Sequence, residues 1–250
     1  LERLVVAATA RLARSLGQRG PLPPVQLTCT TDIPRQVGLA GSSAVITATI
    51  RALCAAWSVE LAPFDLAEMA LATEVEDLGV AAGPQDRVIQ AYEQVMIMDF
   101  TPPRTEASYG IVDPILLPPL LIAWDKSPGG PSGDTHGDLR MRWERGDTDV
   151  VDVMRALRRL VDEGLTALET RDLDRFAELV DENFELRCRV TAVGPSDHRA
   201  VSIARKAGAA AKLCGSGGAV LVVPRSDSDL AAIERELTRE GYSTCRPTVT

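Results

Sequence analysis

The sequence predicts an α+β protein built of two lobes. Its 250 residues, 45% of them hydrophobic, suffice for one large core or two smaller ones. Helical and strand patterns alternate along the chain, and a loop rich in proline and polar residues, 101–113, interrupts them. We therefore expect one lobe over residues 1–112 and a second over 113–250.

The first lobe is predicted to be mainly helical. Apolar residues at steps of three and four indicate helices, and the alternation Val25-Gln-Leu-Thr-Cys-Thr-Thr indicates a half-buried strand. Asp65 and Glu68 have the spacing of a helix cap, and Gly79 marks the end of that helix. The predicted elements are helices from residue 1 and at 43–57, 65–78 and 87–92, and strands at 25–31 and 95–100.

The second lobe is predicted to alternate strands and helices. A strand is expected at 120–124, and the segment 127–138, with four glycines and two prolines, is expected to form a polar loop. The remaining predicted elements are helices at 150–170, 173–189, 198–207 and 226–240, and strands at 210–213, 219–223 and 243–249.

Composition argues against several classes of function. A formal charge of −8 opposes a nucleic-acid surface, and prolines break every long apolar stretch, so neither nucleic acid nor a membrane is an expected partner. Five widely spaced cysteines without a C-x-x-C pair indicate reduced thiols in the cytoplasm. Two histidines give no basis for a histidine-rich metal site, and the G-x-S-x-G turn of hydrolases is absent.

A turn rich in small residues is the main candidate for binding chemistry. Ile33 to Ala44 reads Ile-Pro-Arg-Gln-Val-Gly-Leu-Ala-Gly-Ser-Ser-Ala and runs directly into a predicted helix. The first N–H groups of a helix lack internal partners and carry partial positive charge, so a phosphate would be held well there. The alternative is an ordinary capped helix start.

Two further segments carry candidate chemistry. Gly83-Pro-Gln-Asp-Arg places a carboxylate and a guanidinium, Asp86 and Arg87, after a break in the chain. Lys212-Leu-Cys-Gly-Ser-Gly-Gly is a second glycine turn between two apolar runs. A hairpin turn is the alternative interpretation of this second segment.

Taken together, these segments resemble the GHMP small-molecule kinases, and most closely their glucuronokinase-like members. The residues that carry the resemblance are Asp32 to Ala44, Ala82 to Tyr92, Met98-Asp-Phe, Asn183-Phe-Glu-Leu-Arg and Lys212 to Ala219. The resemblance implies a two-lobed GHMP-kinase-like fold with an incomplete amino-terminal ATP-binding lobe and a carboxy-terminal ferredoxin-like α/β-plait lobe. It also implies ATP-dependent transfer of a phosphoryl group to the anomeric hydroxyl of D-glucuronate.

The resemblance assigns roles to individual residues. Asp86 is expected to act as base or orienting carboxylate at the acceptor hydroxyl, with Arg87 steadying it or the phosphoryl group. Ser43 and Glu74 are expected to hold Mg²⁺, with Glu76 as the fallback for Glu74; the alternative for both glutamates is a solvated helix face. The ATP phosphates are expected to lie against Pro34, Gly38, Leu39, Ala40, Gly41, Ser42, Ser43 and Ala44.

The sugar acid is expected to contact the second glycine turn and one arginine. Gly215, Ser216, Gly217 and Gly218 would pack their backbone against sugar and phosphates, where a side chain would collide. For the carboxylate, the candidates are Arg35, which is preferred, and Arg187, Arg140 and Arg142, with surface positions as the alternative for at least two of them. Lys212 and His136 are possible further contacts, whereas His198 is expected to start a helix.

Two departures from the family pattern leave other functions open. The turn Gly38-Leu-Ala-Gly-Ser-Ser is one residue longer than the general Gly-Leu-Gly-Ser-Ser. From the resemblance, we also expect that a segment with the first family motif is missing ahead of Leu1. The alternatives are a non-catalytic nucleotide- or ligand-binding module and a kinase for another sugar or for a mevalonate-like alcohol. The sequence predicts no oligomeric state.

Overall fold

The protein consists of two compact units. The computed structural model describes residues 1–17, 22–126, 133–225 and 228–249, with the backbone alone for 133–137. The first unit comprises Leu1–Ile33 and Ala40–Val112, and the second comprises Pro34–Leu39 and Asp113–Thr250. The short segment Pro34–Leu39 therefore packs with residues that follow it far along the chain.

The first unit is a helical layer with a small hairpin. Its elements are α1 Glu2–Ser15, α2 Gly41–Trp57, α3 Pro63–Ala72, a π-helix Thr73–Asp77, α4 Gln85–Tyr92, β1 Met96–Met98 and β2 Tyr109–Ile111. The apolar stripe of α2, with Ile46, Ile50 and Leu53, is fully buried against Leu12 of α1 and Val88 of α4. This packing fixes the start of α2 and the start of α4 within one rigid core.

Two local expectations for the first unit are wrong. Residues 25–31 form no strand, because the described part of the chain offers them no partner strand and only Leu27 packs on the core. The helix after Ala62 has no side-chain cap, because Pro63 starts it and Glu68 pairs with Arg104 instead. The helix expected at 65–78 is α3 continued by the π-helix.

The second unit is built around a four-stranded antiparallel sheet. Its strands are β3 Leu121–Asp125, β4 Ala209–Leu213, β5 Ala219–Pro224 and β6 Tyr242–Cys245, in the spatial order β4-β5-β3-β6. Its helices are α5 Gly133–Glu144, α6 Thr148–Glu169, α7 Leu173–Val190, α8 Pro195–Lys206 and α9 Leu230–Arg239. This strand order confirms the predicted α/β-plait lobe.

Helix α7 covers the outer edge of the sheet. The carboxylate of Asp181 accepts a hydrogen bond from the edge N–H of Ala211 at 3.0 Å, and it also pairs with Arg205 and Arg225. An open edge strand would offer unpaired backbone groups to other chains, so this side-chain contact closes β4 on its free side. Helix and strand are thereby fixed against each other.

The polar loop expected over 127–138 is wrong from residue 133 onward. Helix α5 begins at Gly133, and Leu139 packs against the cluster that contains Val150 and Val153 of α6. Residues 127–132 lie outside the described residues, as do 226–227, where a further helix was expected to start; α9 begins at Leu230. None of the described helices is long and apolar enough to cross a membrane.

Candidate active site

The turn before α2 has a backbone whose handedness alternates. Gln36, Gly38 and Ala40 have φ angles of +59°, +73° and +52°, whereas the residues between them have negative φ. A chain that alternates in this way curls so that successive N–H groups converge on a concavity suited to an anion. Two of the three positions are not glycine, and such residues persist in the left-handed region only where their surroundings hold them.

The start of α2 is held through one carbonyl group, that of Ala40, and its first N–H groups remain available. The Ala40 carbonyl accepts three hydrogen bonds, from Ala44 N at 3.1 Å, Ser43 Oγ at 3.0 Å and Gln90 Nε2 at 3.1 Å. No side chain of the described residues caps the helix. The first turn of α2 therefore presents free N–H donors at the positive end of the helix dipole.

A chain of polar contacts in the first unit links this helix start to α4. Ser42 Oγ donates to Glu74 Oε1 at 2.7 Å, and Arg87 Nε donates to Glu74 Oε2 at 2.5 Å, with a second ion-pair contact from Arg87 Nη2. Arg87 Nη1 donates to the Gly83 carbonyl at 3.0 Å and to Asp86 Oδ2 at 3.3 Å. One guanidinium thus orients both carboxylates predicted to be functional.

The two serines differ from their expected arrangement. Ser43, predicted as a metal ligand, is fully buried, and its hydroxyl is engaged by the Ala40 carbonyl. The exposed Ser42 is the serine that contacts Glu74. Since residues of a helix are separated by 100° of rotation, neighbouring positions face different environments, and here Ser42 faces Glu74.

The π-helix determines which glutamate is available. Glu74 is fully buried beside Ser42, whereas the side chain of Glu76 is 65% exposed and pairs with Arg11 of α1. Insertion of an extra residue into a helical turn redirects the side chains that follow it, and such π-helical turns are frequent at functional sites. Of the two glutamates predicted for the metal, the structure brings only Glu74 to the candidate site.

The donor set fits a magnesium ion that is carried by a nucleotide. Among the described residues, no three His, Cys, Asp or Glu side chains form a metal cluster. Mg²⁺ bound with a nucleotide keeps water and phosphate oxygens and needs only one or two protein oxygens, which suits the Ser42 hydroxyl and the Glu74 carboxylate.

In the second unit the two glycine turns pack against each other. A Cβ on Gly38 would lie 2.1 Å from the Gly217 carbonyl oxygen, and one on Gly218 would lie 2.9 Å from the Val37 carbonyl carbon. Gly215 likewise approaches the Gly38 carbonyl oxygen. The need for glycine was predicted from contact with sugar and phosphate; contact with the chain itself already accounts for it.

Asp197 is a functional candidate that the sequence analysis missed. Both of its carboxylate oxygens accept from the Gly218 N–H at 3.0 Å, and burial raises the pKa of this carboxyl although the backbone bond opposes the shift. It thus holds the second glycine turn in place. Its position in the first turn of α8 was the only signal in the sequence.

The arginines predicted for a carboxylate separate into two groups. Arg140 pairs with Glu144, and Arg142 pairs with Asp147 and donates to the Val190 carbonyl, so both have structural partners. Arg35 is exposed on the turn. Arg187 has no side-chain hydrogen bond or ion pair with any described residue, and burial lowers its pKa.

The other residues predicted to contact the substrate or to start a helix are two histidines, a lysine and a serine. His136 lies outside the residues whose side chains are described, and His198 lies edge-on to Phe184 with ring centroids 5.4 Å apart. Lys212, predicted as a further substrate contact, is half-buried, and its Nζ donates to the Leu213 carbonyl at 2.9 Å. Ser216 lies partly exposed at the tip of the second glycine turn.

Comparison with known proteins places these features in a family. The model of the GHMP kinases N terminal domain matches residues 3–94, and that of the GHMP kinases C terminal domain matches 165–243. Glucuronokinase 1 of Arabidopsis thaliana is 35% identical over 226 residues, which is 87% of this chain and 62% of the plant protein. The chain therefore spans less than two thirds of that relative's length.

Solved structures agree on the fold. Lactococcus lactis galactokinase complexed with galactose has a TM-score of 0.77 at 15% identity over 98% of this chain and 74% of its own. Streptococcus pneumoniae phosphomevalonate kinase in complex with phosphomevalonate and AMPPNP has a TM-score of 0.76 at 17% identity, over 98% of this chain and 80% of its own. The chain belongs to the GHMP kinase family.

Proposed function

We propose that the protein is an ATP-dependent sugar-acid kinase that phosphorylates the anomeric hydroxyl of D-glucuronate to the 1-phosphate. The observation that carries this proposal is the contact chain from Ser42 through Glu74 and Arg87 to Asp86, which begins at the uncapped start of α2. Similarity to Glucuronokinase 1 supports the choice of acceptor.

The ATP phosphates bind at the turn that contains Pro34, Gly38 and Leu39 and at the first turn of α2. The converging N–H groups and the helix dipole supply positive potential without a lysine. Phosphoryl transfer requires mainly positioning and neutralisation of charge, so fixed backbone donors are well suited to it. Ala40, Gly41, Ser42, Ser43 and Ala44 form the helix side of this phosphate site.

Ser42 and Glu74 hold the magnesium ion, whose contribution when bound is to neutralise the phosphate oxygens. Ser42→Ala should therefore raise the Mg²⁺ concentration needed for half-maximal activity. Ser43→Ala removes a buried hydrogen bond to Ala40 and should lower stability by about 1 kcal/mol without changing the Mg²⁺ requirement. A magnesium titration that responds to Ser43→Ala and not to Ser42→Ala would reverse this assignment.

Asp86 orients the acceptor hydroxyl and takes its proton. Its side chain is 49% exposed, and only Oδ2 contacts Arg87, so Oδ1 can accept from a substrate O–H. The acceptor oxygen then forms a bond to the γ-phosphorus as the bond to the ADP oxygen breaks. Arg87 is a positioning residue, because its contacts in the structure are Glu74, Asp86 and the Gly83 carbonyl.

In the second unit, Gly215 to Gly218 shape the acceptor site, with the N–H and hydroxyl of Ser216 available at the tip of the turn. Asp197 fixes this turn through the Gly218 N–H. All five cysteines are free thiols, which agrees with a reducing compartment, and we place the protein in the cytoplasm.

The test is ADP release by the full-length protein with MgATP and a panel of glucuronate, galacturonate, glucose, galactose and mevalonate. Asp86→Asn should lower kcat at least about 100-fold while leaving ATP affinity unchanged. Asp65→Asn is the matched control, since Asp65 occupies the first turn of α3. Turnover on another acceptor alone would change the substrate, and ATP binding without turnover would indicate a non-catalytic module.

A further inference from the structure

Three polar side chains lie where α7 meets β4, and none of them bonds to another side chain among the described residues. They are Asn183 and Arg187, one helical turn apart on α7, and Lys212 on β4. Along this contact, Ala177 and Val180 of α7 pack near Ala210, Asp181 reaches Ala211, and the charge of Arg187 acts on Lys212. Helix and strand therefore run in the same direction and bring these side chains together beside the second glycine turn.

Lys212 faces away from the main core of the second unit. Side chains alternate along a strand, and Ala209, Ala211 and Leu213 all belong to the core cluster that contains α8 and α9. Lys212 consequently projects from the opposite face of β4, on which Ala210 packs with Ala177 and Val180 of α7. Only Leu213 and Cys214 separate it in sequence from Gly215.

The two cations have no counter-charge in the described part of the chain. Burial lowers the pKa of Lys212; Cys214 opposes this shift, and the charge of Arg187 adds to it. Among the described residues, Lys212 Nζ bonds only the Leu213 carbonyl. Burial raises the pKa of the adjacent Cys214 thiol to about 11, so that thiol is neutral at pH 7 and balances no charge. Two half-buried cations without a carboxylate are costly unless a ligand supplies the anion.

Asn183 indicates which kind of anion belongs there. Its Oδ1 is buried and accepts no hydrogen bond from any described residue. An ionised phosphate group has no proton to donate to such an acceptor, whereas a hydroxy acid offers a carboxylate for the cations and a neighbouring O–H for the amide oxygen. The set of donors and acceptors thus matches a sugar acid better than a nucleotide phosphate.

We propose that Arg187 and Lys212 bind the carboxylate of the sugar-acid acceptor and that Asn183 accepts a hydrogen bond from a neighbouring hydroxyl. This inference rests on the proposed function, which it deepens by naming the residues that distinguish a uronic acid from a neutral sugar. Arg187 is favoured over Arg35 because Arg35 is exposed on the turn, whereas Arg187 is half-buried and has no ion pair with a described residue.

The experiment compares D-glucuronate with D-glucuronamide, which has the same hydroxyls and no charge. Calorimetric binding without ATP and KM with ATP are measured for the full-length wild type, Arg187→Gln, Lys212→Met and the control Arg189→Gln, an exposed arginine on the same helix. Each of the first two variants should weaken glucuronate binding about 10- to 100-fold and leave glucuronamide unchanged. Arg189→Gln should change neither.

The outcomes separate this inference from the proposed function. The inference would be overturned if the wild type bound glucuronate and glucuronamide equally, even with glucuronate turnover intact. It would also be overturned if the variants bound both compounds more weakly to the same extent, or if they bound ADP more weakly instead. Charge-selective binding that depends on Arg187, without phosphoryl transfer, would uphold the inference and refute the proposed function. Since the variants remove half-buried charges without a counter-charge, their ligand-free melting temperatures should not fall. If either variant fails to fold, equal binding of both compounds by the wild type would still overturn the inference.

Discussion

Replacing Gly38 by alanine should destabilise the second unit more than any ordinary glycine substitution at the same backbone angle. The new Cβ would lie 2.1 Å from the Gly217 carbonyl oxygen, whereas real contacts of this type are essentially never under 3.0 Å, so the two turns must separate by about 0.9 Å. The positive φ of +73° costs about 1 kcal/mol for a residue with a side chain, and overpacking adds about 1–3 kcal/mol. The expected loss is about 2–4 kcal/mol.

Gly146 provides the matched control for this substitution. It belongs to the same unit, its φ is +72°, and nothing lies within 4 Å of its potential Cβ. Gly146→Ala should therefore incur only the conformational cost of about 1 kcal/mol. Urea denaturation followed by circular dichroism gives both free energies of unfolding. Equal losses for the two variants would refute the packing of the two glycine turns.

Two further predictions concern ion pairs of the first unit. Arg87→Met leaves the fully buried Glu74 without its cation and should lower the free energy of unfolding by about 3–5 kcal/mol. Adding Glu74→Gln should recover part of this loss in urea denaturation, and the absence of any recovery would count against the ion pair. Arg11 donates to Asp77 and lowers the pKa of that carboxyl, so the stabilisation is present above the ordinary pKa of 3.8 and is lost as the pH falls through the lowered value. Asp77→Asn should therefore lower stability by about 1 kcal/mol at pH 7 and by progressively less below pH 4, and a constant difference across this range would contradict the pair.

The long helices could be predicted from periodicity because their burial is one-sided. Helices α6 and α7 were expected at 150–170 and 173–189, and they occupy Thr148–Glu169 and Leu173–Val190. The alternation at 25–31 also predicts one-sided burial, but a strand needs a partner for its backbone groups as well. The pattern of one segment does not reveal whether that partner exists. The order of the four sheet strands came from the resemblance and not from the pattern.

The candidate site was predictable in its residue types but not in its contacts. Glycines, serines and the Asp86-Arg87 pair mark the relevant turns, whereas the contact of Glu74 with Ser42, and not with Ser43, depends on helix rotation and on the π-helix that turns Glu74 inward. No signal in the sequence indicates that helix type. Arg187 could be separated from Arg140 and Arg142 only when the ion pairs of the latter two were known.

The contact between the two glycine turns also bears on how the protein is synthesised. Gly38 and Gly217 are 179 residues apart in the chain (217 minus 38). At about 5–20 residues per second, the ribosome delivers the second turn roughly 9 to 36 seconds after the first. Until then Val37 and Gly38 lack their supporting surface, so a nascent chain that has already folded α2 still lacks the packing that holds the turn proposed to bind phosphate. Nucleotide binding at the proposed site should therefore require synthesis of the chain through the second glycine turn.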